Sequence, residues 1–331
     1  AVHTLSQEAT ELHETSRARI AKFINAKDTA EVIYTRGTTE AINLVAYAWG
    51  LPNLKQGDEV LISLMEHHSN IVPWQLISKI TGFTVKYVQV NTNGTLNYDD
   101  LESKLSKNTK LVSLSHISNV SGAINDIKRI AKLVHEHGAL ILADGAQSVP
   151  HMPTNVQDLD VDFLCFSGHK MLGPTGIGIL YGKKTLLEEM TPFQGGGEMI
   201  REVSYNKGKQ QCDISWNDLP WKFEAGTPNV AGGIGLAEAI KYLERLGMDN
   251  VLRHEVELTK YAMKRMSELK KATIYGPADM SAKCGIIPFS IEGLSSHDIA
   301  LLCDNYGIML RSGFHCAQPL HQIFKLQSSA R

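Results

Sequence analysis

From Glu31 to Tyr181 the chain alternates between short apolar runs of strand length and longer runs with helical spacing. Val60 to Leu64, Thr84 to Val90, Lys110 to Ser115, Ala139 to Ala143, Asp162 to Phe166 and Gly176 to Tyr181 read as strands. Ala41 to Trp49, Ile71 to Ile80, part of Leu101 to Leu105, and Asp126 to His137 read as helices, and an earlier helix is expected over Leu5 to Ile24. Such a rhythm leaves few options. The strands must form a mostly parallel sheet covered on both faces by helices. Near Leu236 the texture changes to two helical runs, Gly235 to Leu246 and Val251 to Leu269. A strand over Ile286 to Ile291, a helix over His297 to Asn305 and a strand over Ile308 to Arg311 come next. We therefore expect an α/β chain with a large domain over residues 1–236 and a smaller α+β domain over residues 237–331.

Composition narrows the class of partner. Lys and Arg total 33 against 35 Asp and Glu, which gives no electrostatic reason to expect nucleic acid or an anionic membrane as a partner. The longest stretch without a charged residue, Leu111 to Asn125, carries Ser, His and Asn and is no membrane span. Five cysteines, Cys165, Cys212, Cys284, Cys303 and Cys316, occur without a C-x-x-C pair. An odd, sparse set argues against a disulfide framework and fits a reducing, cytoplasmic setting. Cys165 and Cys303 lie in apolar runs and are expected in the core, whereas Cys212 and Cys284 have polar or loop-like surroundings.

In an open α/β sheet ligands collect at the carboxyl ends of the strands. Here those ends are rich in reactive groups. Gly37-Thr38-Thr39 opens a helix after the first strand, and Glu66-His67-His68 comes after the strand at Val60. His116, Ser118 and Asn119 come after the strand at Leu111, Asp144-Gly145-Ala146-Gln147 after the strand at Leu140, and Ser167-Gly168-His169-Lys170 after the strand at Phe163. A helix start with two threonines offers N–H groups and hydroxyls to a phosphate, and it equally describes an ordinary N-cap. A desolvated lysine can form a Schiff base with an aldehyde, although most lysines are surface charges. Asp144, 26 residues before Lys170, can pair with a protonated ring nitrogen. Lysine, aspartate partner and phosphate cradle together are what pyridoxal phosphate needs. Two nucleotide motifs fail: Gly173 to Gly178 precedes a strand instead of a helix, and Gly182-Lys183-Lys184 lacks the remaining residues of a phosphate loop. Cys316 lies in a Gly- and Pro-bounded loop, Arg311 to Pro319, where Arg311 and His315 would favour its thiolate; a buried inert thiol is the alternative.

Ser167-Gly168-His169-Lys170, Asp144-Gly145-Ala146-Gln147 and Arg311-Ser312-Gly313-Phe314-His315-Cys316-Ala317-Gln318-Pro319 together resemble the pyridoxal-phosphate-dependent cysteine desulfurases. The short Cys loop resembles the group II, Suf-type branch, which includes selenocysteine lyase-like enzymes, and the likeness runs from Val2 to Arg331. The resemblance implies fold type I of the pyridoxal phosphate enzymes and a homodimer with the cofactor at the subunit boundary. It implies that Lys170 holds the cofactor, Asp144 pairs with the ring nitrogen, Gln147 meets the ring hydroxyl and His67 stacks on the ring. Thr38, Thr39, Ser167 and His169 would bind the phosphate, and Thr227 would reach the phosphate of the other subunit. Asn119 and Arg311 would face substrate, His3 would lie near the partner's site, and Arg331 would grip the substrate carboxylate. The implied reaction converts L-cysteine to L-alanine, with Lys170 as base and Cys316 as the persulfide carrier. A sulfur-acceptor protein would then take the sulfur towards iron-sulfur cluster assembly, with Gly195 to Trp216 forming either a hairpin arm near the site or a plain surface excursion. L-Selenocysteine is the alternative substrate. Another fold type I enzyme, such as an aminotransferase or β-eliminating lyase, and a cofactor-binding scaffold without activity are the competing readings. The resemblance also implies a segment before Ala1, and a strand and helix beyond Arg331 that complete the small domain.

Overall fold

The computed structural model describes residues 3–331; Val2, which opens the His3 motif, lies with Ala1 outside the described residues. Helix α1 spans Thr4–Phe23 and α2 spans Thr38–Val45. Seven strands form the central sheet: β1 Val32–Thr35, β2 Glu59–Ser63, β3 Thr84–Val88, β4 Thr109–Ser115, β5 Leu140–Asp144, β6 Phe163–Ser167 and β7 Gly178–Gly182. Their order is β1-β7-β6-β5-β4-β2-β3, and every neighbouring pair is parallel except the two that involve β7.

Residues alternate between two buried faces along these strands, so both faces of the sheet are core. Val112, Leu114, Ile141, Ala143, Leu164 and Phe166 pack with Ile20, Ile130, Leu236 and Ile240. Leu111, Leu142, Phe163, Cys165 and Leu180 pack on the opposite side with Ile42, Trp74 and Ile77. Near-continuous apolar strands result, as a doubly covered parallel sheet requires. No described helix is long and apolar enough to cross a membrane.

Beyond the sheet, β8 Ile200–Asn206 and β9 Gln211–Trp216 pair antiparallel as a separate hairpin. Val203, Tyr205, Ile214 and Trp216 on this hairpin are exposed. The stretch expected as either an arm or a surface excursion is therefore a hairpin in its own right.

A second sheet has the order β10-β11-β13-β12, from β10 Ala272–Ile274, β11 Phe289–Ile291, β12 Ser312–Gly313 and β13 Ser329–Ala330. The strand expected over Ile308 to Arg311 is instead irregular chain, and the assigned strand begins only at Ser312. Ile308 and Met309 are exposed, so their apolar run has no sheet face to fill. The strand expected from Ile286 is shortened to Phe289–Ile291, and Pro288 just before it has no N–H to give to a ladder.

The expected division after residue 236 falls inside the helix Val230–Leu246. That helix buries Leu236, Ile240 and Leu243 in the core of the large sheet. Gly247, with φ +79°, separates this helix from the next, Met248–Ser267.

Candidate active site at the carboxyl rim

Register brings the ends of the strands level. Ser115 on β4 pairs with Asp144 on β5, Asp144 pairs with Cys165 on β6, and Ser167 pairs with Gly178 on β7. Gly178 also pairs with Thr35 on β1. A Cβ at Gly178 would lie 2.4 Å from Gly37 Cα and 2.7 Å from the Phe166 carbonyl, so glycine is what lets the start of α2 approach β6. The approach is used directly. The Thr38 N–H donates to Ser167 Oγ at 2.8 Å, and the two hydroxyls share a hydrogen bond at 2.7 Å. Thr39 and His169 are exposed beside this pair. Together with Arg36, Asn43 and Phe193 they line an open cavity of about 490 Å³. A helix N-terminus with hydroxyls at its mouth suits an anion.

Lys170 sits one turn beyond Ser167, half-buried at the end of a short 3₁₀ segment. Burial holds its amine below the usual lysine value; Asp144 opposes that shift, whereas the charges of Arg331 and Arg311 add to it. Asp144 is buried, and burial pushes its carboxyl up, against one hydrogen bond donated by the Ala146 N–H at 2.9 Å and the nearby Lys170. A buried carboxylate with one donor is under-coordinated, so a cationic N–H fits there. Gln147 is half-buried in the turn after β5.

His67 is half-buried. Its Nδ1 lies 3.1 Å from the Ser69 N–H, which donates to it, and 2.8 Å from the Ser69 hydroxyl. Nδ1 is thus the acceptor and Nε2 carries the proton. Burial first, then the charge of Lys170, lowers its pKa to about 4, so the ring is neutral at neutral pH.

The second sheet presents Cys316 to this rim. His315 and Cys316 adopt φ +51° and +57°, left-handed conformations that cost energy in residues with a Cβ. The turn is pinned from the large domain at two carbonyls. Asn119 Nδ2 donates to the His315 carbonyl at 2.7 Å, and the His68 N–H donates to the Cys316 carbonyl at 2.8 Å. His315 Nε2 donates to the Ser329 carbonyl at 3.0 Å. Burial first, with the charges of Arg331 and Arg311 adding to it, lowers its pKa to about 4, so His315 is neutral and does not supply the positive charge expected of it. These two arginines face each other through reciprocal backbone hydrogen bonds of 3.1 and 3.0 Å.

Two buried polar atoms at this junction have no partner: Asn119 Oδ1 and Arg331 Nη1. A buried acceptor and a buried cationic donor that are both left unpaired suit a polar ligand with a carboxylate. The Lys170, Asp144, Asn119 and Arg331 set therefore fits both an aldehyde cofactor with a basic ring nitrogen and an amino acid.

Not every expected residue joins this group. Thr227 is exposed and lines a neighbouring cavity of about 330 Å³ that shares Arg36, Glu40 and Phe193 with the anion cavity. His3 is exposed at the N-cap of α1. Cys284 is buried and Cys303 is not, the reverse of the expected placement; Cys303 lies on the half-exposed side of the helix Ser296–Asp304, and Cys284 is folded under the Gly122 carbonyl that its N–H reaches at 2.9 Å. Sequence reasoning gave no role to Glu66, Ser63, Asn70 or Ser115, although serines at alternating positions of an apolar strand, Ser113 and Ser115, are a legible sign of buried polar work.

The aminotransferase class-V family matches residues 1–331. The chain is 51% identical over 330 residues to a probable cysteine desulfurase of Halalkalibacterium halodurans, covering 100% of this chain and 79% of that protein. It is 46% identical over 331 residues to a cysteine desulfurase of Haloferax volcanii, covering 100% and 76%. Among solved structures, the apo cysteine desulfurase of Thermococcus onnurineus superposes with a TM-score of 0.95 at 38% identity, covering 100% of this chain and 80% of that one. A cystine C-S lyase with glycine covalently linked to its PLP cofactor shares the fold, with a TM-score of 0.82 at 22% identity over 97% of this chain and 87% of that one.

Proposed function

The chain belongs to the aminotransferase class-V family, and we propose that it acts within that family as a pyridoxal-phosphate-dependent cysteine desulfurase, converting L-cysteine to L-alanine with a persulfide formed on Cys316. The observation that carries this reading is the pinning of the Cys316 turn, through Asn119 and His68, onto the rim that holds Lys170. An aminotransferase or simple lyase has no need of a thiol there.

In this reading Lys170 would hold the cofactor, Asp144 would keep its ring nitrogen protonated, Gln147 would meet the ring hydroxyl and His67 would lie against the ring. Thr38, Thr39, Ser167 and His169 cradle the phosphate. Bound pyridoxal phosphate supplies an electron sink for the pair released when the substrate Cα–H bond breaks. The unpaired Arg331 Nη1 grips the substrate carboxylate, and Asn119 Oδ1 accepts a hydrogen bond from substrate. Arg311 completes the positive wall that orients the carboxylate. Lys170 Nζ, depressed by burial, is a competent base and takes the Cα proton. The Cys316 thiolate attacks the substrate sulfur: an S–S bond forms as the C–S bond breaks, the C–S electron pair passes to carbon, and protonation yields alanine. Cys316 is exposed, so its persulfide is accessible to a sulfur-acceptor protein.

We further assign Thr227 and His3 to the partner's site in a homodimer, since both are exposed. The use of the sulfur for iron-sulfur clusters, a cytoplasmic setting, and L-cysteine in preference to L-selenocysteine complete the proposal. The test is the visible spectrum of the holoprotein before and after L-cysteine, with alanine assayed in parallel. A cofactor band that Lys170→Ala abolishes, and that L-cysteine shifts as alanine forms, is the expected result; a band without alanine would transfer the chain to another reaction of the same fold.

A further inference from the structure

The loop from Glu66 to Asn70 carries His67 and His68, yet its own anchor has no part in the roles above. Glu66 is fully buried, and no lysine, arginine or histidine forms an ion pair with it among the described residues. Its Oε2 accepts hydrogen bonds from Asn70 Nδ2 at 2.8 Å, the Ser115 N–H at 2.8 Å and the Ser115 hydroxyl at 2.6 Å, while its Oε1 meets the Ser63 hydroxyl. Asn70 is fixed in turn, its Oδ1 accepting from Trp74 Nε1 at 3.1 Å and the Ser113 hydroxyl at 2.5 Å. One carboxyl therefore ties the end of β2, the end of β4 and the helix Val72–Thr81 to both ends of a five-residue loop. Inside that loop His67 stands beside Lys170, and the His68 N–H holds the Cys316 carbonyl at 2.8 Å.

Burying a carboxyl with no counter-ion is expensive, and a leucine would fill the same space at lower cost. What leucine cannot do is accept four hydrogen bonds that converge from β2, β4 and Asn70 at the far end of the loop. We propose that Glu66 is a positioning residue which, through Ser63, Asn70 and Ser115, fixes at once the seat of His67 at the cofactor and the anchorage of the Cys316 loop. The assignment rests on the roles given to His67 and Cys316 above. Burial, with Asp144 nearby, pushes the carboxyl up to about 7, so it exists in both forms near neutrality. The network tolerates either form: Oε2 faces obligate N–H donors, and a proton on Oε1 is received by Ser63. Glutamine, with its oxygen at Oε2 and its amide donating to Ser63, mimics the protonated form.

The experiment compares wild-type holoprotein with Glu66→Gln, Glu66→Leu and Ser115→Ala. It reads hydrogen–deuterium exchange of the peptide that contains Cys316, visible circular dichroism of the bound cofactor, and kcat and KM for L-cysteine. Glu66→Gln is expected to match wild type in exchange and dichroism. Glu66→Leu is expected to speed exchange in the Cys316 peptide, which Glu66 does not touch, to collapse the dichroism, and to lower kcat about tenfold or more while KM moves less than about threefold. Ser115→Ala removes one hydrogen bond on the far side of the carboxyl and should move the same readouts in the same direction, by less. Wild-type exchange in Glu66→Leu, or damage in Glu66→Gln equal to that in Glu66→Leu, overturns the proposal. If Glu66→Leu does not fold, unchanged Cys316-loop exchange in Ser115→Ala overturns it instead. A wild-type protein with no cofactor band defeats the functional reading separately, and the exchange comparison still decides the positioning.

Discussion

Replacing Arg17 by methionine tests the ion pair that ties α1 to the loop before Thr227. Arg17 is 1% exposed, and its guanidinium reaches Glu224 through two hydrogen bonds of 2.7 and 2.9 Å. It also donates to the Val32 carbonyl at 2.9 Å and lies over the Tyr34 ring, 4.5 Å from its centroid. Glu224 accepts in addition from the Tyr34 N–H at 2.7 Å. Removing the cation leaves Glu224 buried with that single N–H and orphans the Val32 carbonyl. Breaking a buried pair from one side typically costs about 3–5 kcal/mol. Against a domain stability of about 5–15 kcal/mol, such a loss is plain in a denaturant midpoint. Urea unfolding at saturating cofactor should place Arg17→Met lower by that amount. The double variant Arg17→Met/Glu224→Leu should recover more than half of it, because two apolar groups of similar volume leave no stranded charge. A single-variant loss below about 1 kcal/mol, the worth of a solvated surface pair, would refute the reasoning, and so would a double variant as unstable as the single one.

The buried imidazoles of His67, His116 and His315 each titrate near 4, chiefly because burial disfavours their charged forms. The unfolded chain binds these protons near pH 6.5 and the folded chain refuses them, so stability should fall as pH drops from about 6.5 through about 4. Urea midpoints across that range check this, and a flat profile would contradict it. Lys283 is 1% exposed and donates to the Ser121 carbonyl at 3.0 Å with no carboxylate partner, and burial lowers its pKa to about 8. Lys283→Met should therefore raise stability at pH 7 by about 1–2 kcal/mol, a gain that shrinks as pH rises from 8 towards 10.5. A loss at pH 7 would show that the amine's hydrogen bond outweighs its desolvation.

The rim is legible in the sequence because strand ends in a parallel sheet converge whatever their separation along the chain. Thr38, His67, Asn119, Asp144, Ser167 and Lys170 each come shortly after an apolar run, and that position alone brings them together. The small sheet is harder to read. Its strands are two or three residues long, too short to show a period, and the apolar residues from Ile308 to Leu310 suggest a strand where the chain is irregular. Neutral His315 reads as a charge because burial cannot be inferred from a loop sequence rich in Gly and Pro. Glu66 stands in plain view beside His67, but that its carboxyl meets Ser63, Asn70 and Ser115 instead of solvent depends on contacts between β2, β4 and a helix that no local pattern encodes. The helix Val230–Leu246 crosses the expected division for a related reason: its period shows an apolar face, and only the fold shows which sheet that face covers.

The central claim is that Cys316 accepts the substrate's sulfur at a site built around Lys170. Intact-protein and peptide mass spectrometry after one equivalent of L-cysteine, on wild-type and Cys316→Ala holoprotein, tests it most directly. The account predicts one added sulfur on the Cys316 peptide of the wild type, with alanine in matching amount. It predicts no sulfur adduct and no stoichiometric alanine in Cys316→Ala, whose cofactor band remains. Alanine formed equally well without Cys316, or sulfur carried on Cys165, Cys212, Cys284 or Cys303 instead, would contradict the account.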